Sequence, residues 1–213
     1  MFNEKNYKGV YVMTTEQKKF IDKVASTTKK YSPRYGIKII SPIIAQSILE
    51  SNWGKSQLAS KYHNYFGMKC GSSWNGKSVN LKTNEEFIPG TITNITSNFR
   101  VYDSFDEGIK GYFEFINKPR YANLKGITDP MKYLETIKSD GYATSDTYVT
   151  KNMKIITEYN LTRYDSKKTP NEIAEEIVKY NNWGTGDERK KLLEQAGYDY
   201  DEIQSEVNKL LRK

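Results

Sequence analysis

The chain of 213 residues carries 33 Lys and Arg against 26 Asp and Glu, a formal net charge of +7, with a mean hydropathy of −0.77; that length suits one domain of ordinary size plus a small second one. One cysteine (Cys70) and one histidine (His63) exclude an internal disulfide framework and a multi-cysteine metal site. No run approaches the ~18 apolar residues of a transmembrane helix, and the polar first 25 residues lack the apolar core of a secretory leader.

Charge and aromatic content narrow the partners. Residues 170–213 hold 10 acidic and 7 basic side chains, which leaves a net +10 on residues 1–169. Such a basic part suits an anionic polymer: nucleic acid, acidic lipid or an anionic bacterial wall. The 17 Tyr, 8 Phe and 3 Trp supply flat apolar faces for stacking as well as for cores. The change of sign places a boundary at the polar stretch 166–169.

In chain order the elements are mostly helices. Thr14-Thr15-Glu16-Gln17 reads as a capping box that opens a helix with Phe20, Ile21, Val24 and Ala25 inward. After a turn at Ser32-Pro33, residues 41–54 read as an apolar helix. Ser41 is its N-cap, Pro42 its first helical residue, and Ile44, Ala45, Ile48 and Leu49 its wide buried face. Gln46 and Glu50 are four apart and share a face. Glu50 falls in the last turn, at the negative end of the helix dipole and beside Trp53, and both influences disfavour its ionised form. A carboxylic acid that stays protonated near neutral pH is what glycosidic cleavage requires as general acid. A surface charge at a helix end is the equally weighted alternative.

Loops rich in Gly and Asn follow from Asn64 to Gly76, and then residues 79–87 and 91–102 alternate as a hairpin turning at Pro89-Gly90. Adjacent strand residues face opposite ways, so only one of Glu85 and Glu86 can look into a cleft shared with Glu50; a solvated hairpin tip is the competing reading. Ser104 to Glu107 is a second capping box, ahead of a helix that buries Ile109, Tyr112, Phe113 and Ile116. Asp129-Pro130 starts a helix bearing Met131, Leu134 and Ile137, and Asp146 caps another that runs to about Asn160. The tail reads as three short helices carrying Ile173, Ala174, Ile177 and Val178, then Leu192 and Leu193, then Ile203, Val207, Leu210 and Leu211. That core is small, and such a bundle is marginal alone. The expected fold class is α+β: a mainly helical domain over 1–165 with a small β-hairpin lobe, a linker at 166–169, and a three-helix module over 170–213.

Five sequence blocks stand in order: Ala45 to Gly54, His63 to Lys69, Asn98 to Ser104, Pro119 to Ala122, and Gly141 to Thr144. Together they resemble the β-N-acetylglucosaminidases of glycoside hydrolase family 73, across roughly residues 14–162. The resemblance implies a lysozyme-like α+β fold and hydrolysis of the glycan strands of peptidoglycan after N-acetylglucosamine. It places Glu50 on the family's catalytic acid. For the second acidic residue, matching the ring and glycine of Phe87 and Gly90 favours Glu86, and matching from Val79 favours Glu85; the first match is taken, narrowly. Tyr121 and Tyr142 fall on tyrosines that line the family's sugar cleft, although core packing accounts for them equally well. Trp53 and Phe66, in the same blocks, are grouped with them as substrate-binding residues. The family's usual Gly-Tyr-Ala-Thr-Asp departs here to Ser145 followed by Asp146, which puts the role of Asp146 in doubt.

The stretches Asn182 to Leu192 and Ala196 to Gln204 resemble the small cell-wall-binding repeat of certain phage lysozymes. That resemblance implies binding to the muropeptide, with Trp183, Arg189 and Tyr198 as contributors; Trp183 and Tyr198 as core and Arg189 as a surface ion pair weigh as much. The two resemblances imply a monomeric, endolysin-like bacteriolytic enzyme, made in the host cytoplasm and acting on the wall, with no metal, other cofactor, nucleic-acid partner or membrane insertion. A muramidase or lytic transglycosylase acting on the same polymer, and a non-catalytic wall-binding protein, are the rival readings. Wide carboxyl separation, roughly 6.5–9.5 Å, marks an inverting enzyme and ~5 Å a retaining one.

Overall fold

The computed structural model describes residues 13–88, 91–165, 169–181, 183–196 and 198–212, with the side chains of 84–94 and 195 outside that description. It comprises nine α-helices and one antiparallel hairpin among those residues. The expected mainly helical α+β body with an inserted hairpin is the architecture found.

The first helix, α1 (Thr15–Tyr31), starts at the Thr14–Gln17 capping box and buries Ile21, Val24, Ala25, Thr28 and Tyr31. A 3-10 turn (Ser32–Tyr35) leads to α2 (Ser41–Ser51), whose residues Ser41 to Ile48 are all buried. A helix buried on nearly every side belongs at the centre of a body, and α2 packs on α1, α5 and α6. Ser41 is not its N-cap. Ile40 holds that position, and the carboxylate of Asp165 accepts the backbone N–H of both Ile40 (2.8 Å) and Ser41 (2.7 Å). A short α3 (Gln57–Tyr62) follows, capped by Ser56.

The hairpin pairs β1 (Ser78–Ile88) with β2 (Thr91–Arg100), in regular register from Ser78↔Arg100 to Glu86↔Ile92, with an irregularity between Glu86 and Ile88. The expected turn residues Pro89-Gly90 lie outside the described residues. Asn64, almost fully buried, fastens the base of the hairpin: its Nδ2 donates to the carbonyls of Met68 and Arg100, and its Oδ1 accepts the Met68 N–H.

In α4 (Phe105–Ile116), capped by Ser104, two glycines face the loop and strand before it. A Cβ at Gly108 would lie 1.9 Å from the His63 carbonyl oxygen, and one at Gly111 would lie 2.4 Å from the Tyr102 ring, so neither position admits a side chain. Then come α5 (Pro130–Ser139), capped by Asp129 as expected, and α6 (Tyr148–Glu158). Asp146 caps nothing. It pairs with Lys138 at 3.6 Å on the surface, and Thr147 precedes α6 without a side-chain cap. Met131 is 42% exposed, because the first turn of α5 reaches past the core that Tyr133, Leu134 and Ile137 fill.

In the tail, α7 (Pro170–Tyr180) opens on a Thr169–Glu172 capping box and packs on α9 (Tyr200–Leu211), with α8 (Gly186–Gln195) between them in sequence. Ile173, Ala174, Ile177, Trp183, Leu192, Leu193, Ile203 and Val207 form its core, which shares no residue with that of the body. Val178 and Leu211, expected inward, are exposed: Ile177 takes the inner position of that turn, and Leu211 is the last residue of α9.

Candidate active site

The end of α2 shapes the site. Ser51 Oγ accepts the Gly54 N–H, and Asn52, Trp53 and Gly54 all take left-handed backbone (φ 49°, 62° and 73°), which stops the helix one residue past Glu50. Gly54 cannot be replaced, since its Cβ would lie 2.7 Å from the Phe20 ring. This turn leaves Glu50 exposed on a cleft of about 1170 Å³ that runs between the helical body and β1. Opposite the carboxylate is Gly67 (φ 63°), where a Cβ would stand 3.4 Å from Glu50 Oε2, so the glycine keeps the space in front of the acid open.

Trp53 is not the apolar neighbour of Glu50 that sequence suggests. Its left-handed backbone turns the ring away, edge-on to Tyr159 (4.9 Å) and Phe20 (6.2 Å), and it does not line the cleft. The neighbours of Glu50 are two tyrosines instead. Tyr142 lines the cleft and donates its hydroxyl to the Phe66 carbonyl (3.1 Å); Tyr148, at the start of α6, lines it too. Burial raises the pKa of both tyrosines well above the ordinary value, and the charge of Glu50 adds to it, so both hydroxyls keep their protons across the physiological range.

Phe66 contributes to the cleft floor with its ring buried against Tyr112, at 4.3 Å. Tyr121 is buried behind the floor, 5.2 Å from the cleft-lining Phe115, and does not line the cleft itself. Neither Tyr148 nor Arg100 is among the site residues expected from sequence: Tyr148 has the spacing of a core residue, and Arg100 stands in a family block without a role of its own. The Arg100 guanidinium lies buried between the rings of Trp74 (4.5 Å) and Phe115 (5.5 Å), with Nε donating to the Lys69 carbonyl. Together with Lys69, Lys82, Lys118 and Lys151 it makes the cleft basic, and Glu50 is the one carboxylate among the described residues that line it. No cluster of His, Cys, Asp and Glu suited to a metal occurs among the described residues.

Glu85 and Glu86 have described backbones, paired with Thr93 and Ile92, but side chains outside the description. In the tail, Trp183 is core, with Tyr198 edge-on at 6.0 Å. Arg189 is not held by a surface ion pair: its Nε donates to the Gly184 carbonyl and its Nη1 to Gln204.

The sequence pattern of the family described as mannosyl-glycoprotein endo-beta-N-acetylglucosaminidase matches residues 3–161. The chain belongs to this glucosaminidase family. Its members are glycosidases, and the cleft around Glu50 lies inside the matched region. The CW_7 repeat pattern matches residues 171–211. A probable N-acetylmuramidase of Lactococcus lactis is 36% identical over 164 residues, which cover 73% of this chain and 36% of that protein. The exo-glucosaminidase LytG of Bacillus subtilis is 33% identical over 156 residues, 70% of this chain and 54% of that one. The chain thus spans between a third and about half of the length of these relatives. Among solved structures, a peptidoglycan hydrolase mutant from Sphingomonas sp. A1 superposes with a TM-score of 0.60 at 30% identity, covering 68% of this chain and 96% of that one.

Proposed function

We propose that the chain hydrolyses the glycan strand of peptidoglycan at the β-1,4 bond after N-acetylglucosamine. One observation carries this reading: in a chain of the glucosaminidase family, Glu50 is the single carboxylate among the described residues that line a long basic cleft. In the proposed reaction Glu50 gives its proton to the glycosidic oxygen as the bond to C1 breaks. A second carboxylate stabilises the oxocarbenium-like centre or takes a proton from the water that attacks it.

Strand parity favours Glu85 over Glu86 as that second carboxylate. Along β1, Val79, Leu81 and Thr83 are partly buried while Ser78, Asn80 and Lys82 are exposed, and their partners Phe99, Ser97 and Ile95 on β2 repeat the pattern. The register stays regular through Glu86, so Glu85 has the parity of the inward row.

Two modules, 1–165 and 170–213, suit a wall-degrading enzyme in which the tail holds the glycosidase on its polymer. Support comes from their separate cores and from the match to the CW_7 repeat; tethering raises the effective substrate concentration even when each module binds weakly. Trp183, being core, supports the fold of the tail, and Arg189 and Tyr198 are left as its contact residues. The pairing of a glycosidase with one repeat of the kind that certain phage lysozymes carry favours an endolysin, active as a monomer. Expression beside a pore-forming protein should then lyse the producing cell, and expression alone should not.

A muramidase reading is favoured by the name of the lactococcal relative. Purified walls digested by the protein, reduced with borohydride and analysed by mass spectrometry decide between them. N-acetylglucosaminitol ends are expected. Reduced muramic ends would establish a muramidase, 1,6-anhydromuramic ends a lytic transglycosylase, and no release a binding protein.

A further inference from the structure

Beneath Glu50, four helices meet in a buried chain of one amide and three hydroxyls. Gln46, fully buried one turn before Glu50 on α2, donates from Nε2 to Tyr148 Oη of α6 at 2.6 Å and accepts at Oε1 from Tyr112 Oη of α4 at 2.8 Å. Tyr112 Oη lies 2.9 Å from Tyr133 Oη of α5. The amide oxygen has no hydrogen to give, so the hydrogen of Tyr112 is committed to it and Tyr133 is the donor to Tyr112. At the other end, the Gln46 N–H occupies a lone pair of Tyr148 and leaves the Tyr148 hydrogen for an acceptor outside the chain. Phenylalanines in place of the tyrosines and a leucine in place of Gln46 would fill nearly the same space without desolvating any polar group, so packing alone does not account for this network.

Tyr148 lines the cleft. The ionisable groups around it are Glu50 of α2, Tyr112 of α4, Tyr133 of α5, and Tyr121 and Tyr142 of the connecting segments, with Lys151 lining the same cleft from the next turn of α6. Among them only Glu50 becomes an anion during the reaction, and its charge already reaches the Tyr148 hydroxyl. We propose that Gln46 is a positioning residue that turns Tyr148 into a hydrogen-bond donor to the Glu50 carboxylate left when its proton passes to the glycosidic oxygen. The inference rests on the reading of Glu50 as general acid.

The full chain and its variants, assayed on purified walls with kcat, KM, pH profile and melting temperature measured together, test it. Tyr148→Phe should lower kcat on the order of 10- to 100-fold, the worth of a hydrogen bond to a charged group, with KM little changed. It should also move the basic limb of the kcat profile upward by about one pH unit, because a carboxylate that loses a donor holds its proton more tightly. Gln46→Glu, when ionised, accepts from both tyrosines and draws the Tyr148 hydrogen inward. Its kcat should match that of Tyr148→Phe at high pH and partly recover at low pH, where the protonated carboxyl can again donate. Tyr133→Phe leaves both bonds of Gln46 intact and should keep kcat within about threefold. The inference is overturned if Tyr148→Phe retains wild-type kcat and an unmoved basic limb, or if Tyr133→Phe loses as much kcat as Tyr148→Phe. Release of reducing ends by the wild type separates the two readings: hydrolysis intact beside an unaffected Tyr148→Phe sinks this inference alone, whereas a wild type that releases none sinks the glycosidase reading and this one with it.

Discussion

The glucosaminidase body and the tail are both made mostly of short helices, and they differ in where their buried polar contacts lead. In the body, Gln46 is bonded at both ends of its amide by tyrosines from two other helices, and the chain they form ends at the cleft. In the tail, Trp183 Nε1 is buried with no hydrogen-bond partner among the described residues, and Arg189 spends its donors on Gly184 and Gln204 of the same bundle. The Gln46–tyrosine chain of the body thus leads to the cleft, whereas the polar contacts of Arg189 stay within a bundle whose eight buried core residues leave little margin. The difference predicts that chemistry and stability can be lost separately.

The largest effect should come from Glu50→Gln, which removes the transferable proton and changes almost no volume. Hydrolysis should fall ~10²–10⁴-fold or more, with melting temperature and pelleting with walls unchanged; residual clearing near the wild-type rate would remove Glu50 from the mechanism. Next, Glu85→Gln should cost ~10²-fold or more and Glu86→Gln less than about threefold. The reverse ranking, read from initial rates on the same walls, would overturn the parity argument for Glu85.

The tail should break by packing. Leu193, fully buried, leaves a cavity when cut to Ala, at a cost of about 2–5 kcal/mol, comparable with the whole stability of so small a bundle. Two-step calorimetric unfolding should then lose its tail transition and wall pelleting should fail, while turnover of soluble glycan fragments persists. A single shared transition would show that the two cores unfold as one. The smallest effect expected is from Asp165→Ala, which removes the acceptor for two N–H groups at the start of α2. The cost should be about 1–2 kcal/mol, seen as a drop of roughly 2–8 °C in the melting temperature of the body.

Local signals explain which parts were legible in advance. The Thr14–Gln17 box, the Ser104 and Asp129 caps and the hairpin are written within a few residues of where they act, and the structure bears them out. Glu50 draws attention because a largely apolar helix ends on it just before a Gly-bearing turn, and the ordered family blocks favour it over a surface charge. What failed was non-local. The cap of α2 comes from a residue 124 positions away, Trp53 is redirected by left-handed backbone, and Asp146 is drawn to Lys138 instead of capping α6. Tyr148 escapes notice, and Gln46 is placed only on the face of Glu50, because a buried tyrosine or glutamine in a helix carries the same sequence pattern whether it packs or donates.

The contact from Asp165 to α2 also sets the size of the smallest transferable catalytic unit. Family likeness ends at residue 161, yet the carboxylate that holds the first turn of the acid-bearing helix is at 165, and Tyr164 Oη reaches back to Asp22 of α1 at 2.7 Å. A chimaera joined at the limit of likeness would carry the acid on a helix with a loose start, whereas a junction inside 166–169 keeps both ends of α2 anchored. Where this module is exchanged between wall-binding partners, the seam belongs at least five residues beyond the point at which the sequences stop agreeing.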